Sequence, residues 1–165
     1  MNIPGNKKVV FITGSVWTGS RSAPRKMLVK DGFIRPTWFT TARRMTDARF
    51  RVISEAEFHL AQAEDKLLSH VKYGGGFMGI MKDDFESCMA ESENGALVVG
   101  PPEMAAQVAA QIPRTIIFTF KDMLMEISDY LEEADQKGQL QRIDIDVLKP
   151  GAWAGVYNIM RELLV

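Results

Sequence analysis

What the chain has little of narrows it first. A single cysteine, Cys88, stands among 165 residues, so no disulfide can form within the chain. No apolar run approaches the about 20 residues that a membrane-spanning helix needs, and the N-terminus lacks the basic-then-apolar layout of a secretory leader. The expected location is therefore cytoplasmic. Only two histidines are present, His59 and His70, with no cysteine near either, so no metal site is expected. Low-complexity tracts and internal repeats are missing as well. With 46% hydrophobic and 25% charged residues, the composition is that of one globular domain able to bury a core.

Acidic residues are nearly absent from the first third. Residues 1–51 hold two Asp against eleven Lys/Arg, a formal +9, whereas residues 52–165 hold nineteen Asp/Glu against nine Lys/Arg, a formal −10. Clustered cations raise the local concentration of anions, so the basic third points to a phosphorylated or acidic ligand. Mutual neutralisation after folding, or head-to-tail pairing of copies into a homo-oligomer, would use the same asymmetry. Nucleic acid is a poor candidate because no groove-reading motif accompanies Arg43, Arg44, Arg49 and Arg51.

Element types alternate along the chain. The run 8–13 (KVVFIT) reads as a buried strand ending at Gly14; Ser22-Ala23-Pro24 opens a helix that Asp31-Gly32 stops; and 33–41 reads as extended. Ser54 to Glu57 has capping-box spacing, and 66–81, with four glycines, reads as strands or a hairpin. Helix 82–93 buries Phe85, Cys88 and Met89, with Asp83 and Asp84 suited to its first turn. Strand 96–99 precedes a helix opened by Pro101-Pro102 and stopped at Pro113, and 115–120 is the next strand. Met123, Ile127, Tyr130, Leu131 and Ala134 predict a helix ending near Gly138. Residues 143–147 alternate as an edge strand would, Asp144 and Asp146 forming its polar face. Trp153, Val156, Tyr157, Met160, Leu163 and Leu164 make a last amphipathic stripe. This β-α-β order predicts a three-layer α/β fold with a mainly parallel sheet and its ligand crevice at the strands' carboxyl ends. The expected organisation is one domain over 1–165, its core at about 1–32 and 82–165, with a small subdomain at about 33–81.

The first chemical signal follows the first strand. Gly14-Ser-Val-Trp-Thr-Gly19 has the two glycines and the strand-to-helix setting of a phosphate-binding P-loop. Such a loop next needs Lys to reach the β/γ phosphates and then Ser/Thr to hold Mg²⁺, and here Ser20 and Arg21 take those places. Moving the frame by one residue makes Arg21-Ser22 imitate Lys-Ser at the cost of lengthening the loop. Trp17, inside the loop, either fills the vacated pocket or offers a platform to a partner.

The chain from VVFITGSVWTGS through PTWFTTARR, FRVISEAEF, LLSHVKYGGGFMGIMKDDFESCM, ALVV and TIIFTF resembles the guanylate kinases, including the guanylate-kinase-like modules that bind protein. The resemblance covers nearly the whole length in order. It implies a P-loop-type fold with a small GMP-binding-like subdomain and a reduced lid, in which Arg142 is the remaining basic candidate. It also implies that Thr40, Thr41 and Arg43 or Arg44, with Arg35 near them, occupy the segment that holds the GMP phosphate. The family's polar handles on the nucleotide are replaced in this alignment by Phe50, Ser69, Met78 and Ile80. The acid expected after strand 96–99 is replaced by Gly100-Pro101-Pro102. The expectation is a guanylate-kinase-like protein with a degenerate P-loop (Gly14, Gly19, Ser20, Arg21, Ser22), no catalytic residues and no cofactor, recognising a phosphorylated or acidic ligand through Arg43, Arg44, Thr40, Thr41 and Arg35. The rival is a divergent kinase using ATP and Mg²⁺, with Arg21 and Ser22 in the Walker roles.

Overall fold

The structure is a computed structural model of the chain and describes residues 1–13, 22–42, 48–121, 129–144, 149 and 151–164. The predicted P-loop residues Gly14, Gly19, Ser20 and Arg21, together with Trp17, Arg43 and Arg44, lie outside the described residues. At Ser22 only the backbone is described, as the first residue of a helix.

Five strands form a parallel sheet: β1 (Lys8–Thr13), β2 (Phe33–Ile34), β7 (Gly95–Val99), β8 (Ile116–Lys121) and β9 (Leu140–Asp144), in the spatial order β2-β7-β1-β8-β9. β1 sits at the centre, in parallel register with β7 on one side and β8 on the other. Its side chains alternate, Val9 and Phe11 joining one core and Val10 and Ile12 the other, which is what a strand covered on both faces requires. The connection through α1 (Ser22–Lys30) runs from β1 toward one edge, and that through α4 (Pro102–Gln111) runs from β7 across β1 to β8. Right-handed crossovers in opposite directions put their helices on opposite faces. Accordingly Ala23 and Met27 of α1 pack with Val156, Tyr157 and Met160 of α6 (Ala152–Leu163), while Met104, Ala105 and Val108 of α4 pack with Phe85, Cys88 and Met89 of α3 (Lys82–Glu91).

A second sheet of four strands, in the order β4-β3-β6-β5, is built from β3 (Trp38–Thr40), β4 (Phe50–Val52), β5 (Leu67–Tyr73) and β6 (Gly76–Met81). The predicted hairpin is β5–β6, closed by Gly74 and Gly75 at φ +59° and +80°. Helix α2 (Glu55–Ala63) covers one face through Phe58 and Ala61, which pack with Phe39 and Leu67. Its start is the predicted capping box: Ser54 Oγ accepts from the Glu57 N–H at 3.1 Å and the Glu57 carboxylate accepts from the Ser54 N–H at 3.0 Å. The opposite face, with Leu68, Val71 and Ile80, belongs to the same core as Val9, Phe11 and α4, so the two sheets share apolar contacts.

Three expectations need correction. The last strand begins at Leu140, not Ile143, because Leu140 and Ile143 enter opposite cores and a strand buried on both faces does not show simple alternation. Of the helix predicted from Met123, Met123 and Ile127 lie outside the described residues, and the described part is a 3-10 turn at Asp129–Leu131 followed by α5 (Glu132–Gln136), in which Leu131 and Ala134 are buried but Tyr130 is exposed. In the final stripe Leu164 is buried and Leu163 is half in solvent, since it lies on the shoulder of α6. Among the described residues no helix is long and apolar enough to cross a membrane.

Candidate functional site

Where the carboxyl end of β7 meets the second sheet, a cleft of about 640 Å³ opens. That position follows from the topology, because the carboxyl ends of parallel strands leave a crevice that helix N-termini and inserted segments wall in. Leu97, Val99, Gly100 and Pro101 supply the β7 side, and Trp38, Phe50, Val71 and Met78 supply the side of the small sheet. A cleft of this size is in the range that encloses small ligands.

The aromatic wall is held by backbone pairing. Trp38 and Phe50 are register partners in β3 and β4, the Trp38 N–H donates to the Arg49 carbonyl at 2.9 Å, and the two rings meet edge to face at 5.6 Å. Gly100 lets Trp38 approach: a β-carbon there would lie 2.9 Å from Trp38 Cη2 and 3.3 Å from Phe11 Cζ.

Charged groups stand among these apolar side chains. Arg35, on the link between β2 and β3, Arg49 before β4 and Lys72 of β5 line the cleft, and so does one carboxylate, Glu103, in the first turn of α4. The formal charges of the described lining residues thus sum to +2. Glu103 was not legible as a site residue, because the sequence shows Gly100-Pro101-Pro102 where an acid was sought. Pro101 is the N-cap and Pro102 the first helical residue, so the turn they begin brings the next side chain back to the cleft.

The other predicted residues are placed as follows. Thr40 is buried at the end of β3, where its Oγ1 accepts from the Ala42 N–H at 3.1 Å. Thr41 Oγ1 accepts from the Phe77 N–H at 2.9 Å. Both hydroxyls therefore fix the backbone at residues 40–42, which precede Arg43 and Arg44 in sequence. Arg51 forms a two-pronged pair with Asp84, at 2.8 and 3.2 Å, on the far side of the small sheet from Trp38 in sequence register, and Arg25 is exposed on α1. Arg142 pairs with Asp135.

The four positions aligned with the family's nucleotide handles divide into two pairs. Phe50 and Met78 line the cleft, whereas Ile80 and Ser69 are buried. Ser69 Oγ has no hydrogen-bond partner among the described residues. Among the described residues no three metal-ligating side chains converge. Cys88 is buried, its thiol pushed up to about 12 by burial, and its Sγ donates to the Ile34 carbonyl at 3.4 Å, so it behaves as a core residue.

Compared by sequence, the chain matches no family model and no curated protein. Compared by structure, it is similar to the crystal structure of guanylate kinase from Anaplasma phagocytophilum, with a TM-score of 0.62 and 12% identity over 99% of this chain and 89% of that one. The fold is guanylate-kinase-like, a mixed α/β architecture on a five-stranded parallel sheet.

Proposed function

We propose that this guanylate-kinase-like domain is a non-catalytic binding or regulatory protein that recognises a phosphorylated or acidic ligand in the cleft between its two sheets. The observation that carries this reading is the lining itself: Arg35, Arg49 and Lys72 face one space with Glu103 as the only carboxylate among the described lining residues. Arginine side chains suit bidentate contact with phosphate or carboxylate, and a partly enclosed site strengthens such contacts relative to open water.

Mg²⁺-ATP fits the donor set poorly. After Gly19 come Ser20 and Arg21 in place of Lys and Ser/Thr, and the acid that follows β7, Glu103, stands in the first turn of α4 after two prolines and not directly at the strand end. Phosphoryl transfer depends almost wholly on positioned charge, so the lost cation and metal ligand remove most of the means of catalysis.

A coupled ADP-release assay with Mg²⁺-ATP and nucleoside monophosphates is expected to show turnover far below about 1 s⁻¹, the low end of the usual enzyme range. Turnover above that level would overturn the non-catalytic reading. Titration with O-phosphoserine followed by amide NMR is expected to move the signals of Arg35, Arg49 and Lys72, with affinity falling as salt rises. Unmoved signals at these three positions at millimolar ligand would discard the cleft as the anion site.

A further inference from the structure

The proposed anion site has an unusual surround, and that surround bears on what the rest of the ligand is. Besides Arg35, Arg49 and Lys72, the lining is mostly apolar, with Trp38, Phe50, Val71, Met78 and Val99, and its two further polar side chains are Tyr73 and Glu103. Trp38 offers only its indole N–H and Met78 a weak sulfur acceptor, so among the described lining residues the Tyr73 hydroxyl and the Glu103 carboxylate are the side chains able to accept from a ligand edge. A nucleobase and sugar placed against the apolar part would carry more donors and acceptors than Tyr73 and Glu103 could meet, and each one left without a partner costs free energy once it loses water. Ser69, the polar residue closest in the alignment to a base reader, is itself buried at 1% exposure and follows a bulge in β5, so it does not add its hydroxyl to the cleft wall.

The charge count sets the other half of the ligand. The three cations and one carboxylate among the described lining residues suit a ligand carrying one or two negative charges. The edge-to-face pair of Trp38 and Phe50 presents a rigid aromatic wall at 5.6 Å centroid spacing, against which a flat apolar ring packs well.

Resting on the binding role proposed above, we infer that the ligand of this cleft is a small amphiphilic anion: an apolar, preferably aromatic body bearing a single phosphate or carboxylate, and not a nucleotide. The body lies against Trp38, Phe50 and Met78, and the anionic group meets Arg49, Lys72 and Arg35.

The test is a calorimetric titration of the full chain with 1-naphthyl phosphate, 1-naphthoate, 1-naphthol, ribose 5-phosphate and GMP. The expected result is that 1-naphthyl phosphate or 1-naphthoate binds at least about tenfold more tightly than ribose 5-phosphate or GMP, and more tightly than 1-naphthol. The relative strength of the phosphate and the carboxylate then tells which anion the site serves. Equal or tighter binding of GMP or ribose 5-phosphate overturns the amphiphile and leaves the anion site standing. Equal binding of 1-naphthol overturns the anion site and the inference that rests on it, and no binding of any anion at millimolar concentration overturns both. The double variant Arg49→Ala with Lys72→Ala, at two exposed positions where folding is not at risk, should weaken 1-naphthyl phosphate by about tenfold or more while sparing 1-naphthol. An unchanged affinity would move the site away from this cleft.

Discussion

The Gln107 side chain completes the edge of the small sheet at His70: its Oε1 accepts from the His70 N–H at 2.7 Å and its Nε2 donates to the His70 carbonyl at 2.9 Å. A carboxamide carries a donor and an acceptor spaced as in a peptide group, so it can stand where a neighbouring strand would. β5 is an edge strand, and an edge left bare exposes a row of unpaired groups. One turn later Gln111 donates to the Leu68 carbonyl at 2.5 Å, so two glutamines on one face of α4 hold the edge. The same helix contributes Glu103 to the cleft, which ties the cleft's two walls together.

Replacing Gln107 with alanine should therefore cost more than an exposed surface change. Two backbone groups lose their partner at a part-buried position, and the expected destabilisation is about 1–3 kcal/mol. Urea denaturation checks the magnitude, and hydrogen exchange at the His70 amide checks the cause, since that amide should lose protection more than its neighbours do. A change in stability below about 0.5 kcal/mol would mean that water replaces the carboxamide without loss.

His70 makes stability depend on pH in the acid direction. Burial holds its imidazole below the ordinary value of 6.5, because the charged form is poorly solvated beside the Phe58 ring at 5.6 Å. As pH falls, the unfolded chain takes up this proton first, so its contribution to stability is complete above about 6.5 and is lost on descent through the lower folded value. The variant His70→Gln should show a shallower decline between pH 7 and pH 5 than the parent, measured by denaturation at each pH. A native His70 resonance that titrates at or above 6.5 would refute the burial effect.

Much of the core was legible because its signals are local. The run at 8–13 is apolar at every central position, the Ser54 and Glu57 pair is a short-range cap, and Pro101-Pro102 marks a helix start whatever surrounds it. The extended stretch 33–41 was legible as extended but not as two strands in two different sheets, since partner choice is a tertiary fact that propensity does not encode. The strand Phe50–Val52 gave no pattern, because Arg51 and Val52 are both exposed. In the site, basic residues were visible as a cluster in sequence, but only folding separates Arg51, which pairs with Asp84, from Arg49, which reaches the cleft. Lys72, Trp38 and Glu103 come from three separate elements, and no spacing rule joins them.

The hairpin between β5 and β6 offers a contrast between two adjacent glycines. Gly74 and Gly75 both have positive φ, +59° and +80°, and no atom lies near a β-carbon at either position, so backbone conformation alone decides tolerance. Asparagine adopts the left-handed region more readily than other residues with side chains, and it is favoured at the first position of such two-residue turns. Gly74→Asn should thus be within about 0.5 kcal/mol of the parent, while Gly75→Val should destabilise by about 1–2 kcal/mol. Thermal or urea unfolding of the two variants checks the ordering, and equal losses would contradict the turn geometry.

Gly100 is where packing and ligand recognition meet. The β-carbon of alanine would approach Trp38 Cη2 to 2.9 Å, and an indole wedged between β4 and the cleft cannot yield by bending. Either the ring rotates into the cleft or β3 moves away from β7; overpacking of this kind costs about 1–3 kcal/mol. Both responses also reshape the wall on which the ligand's apolar body would lie. Gly100→Ala should therefore lower stability, alter the tryptophan fluorescence and weaken 1-naphthyl phosphate more than it weakens inorganic phosphate. The anionic contacts of Arg49 and Lys72 lie on other elements and should be less disturbed. Equal weakening of the two probes would show that the substitution disrupts the whole cleft, and unchanged binding of both would separate Trp38 from the ligand altogether.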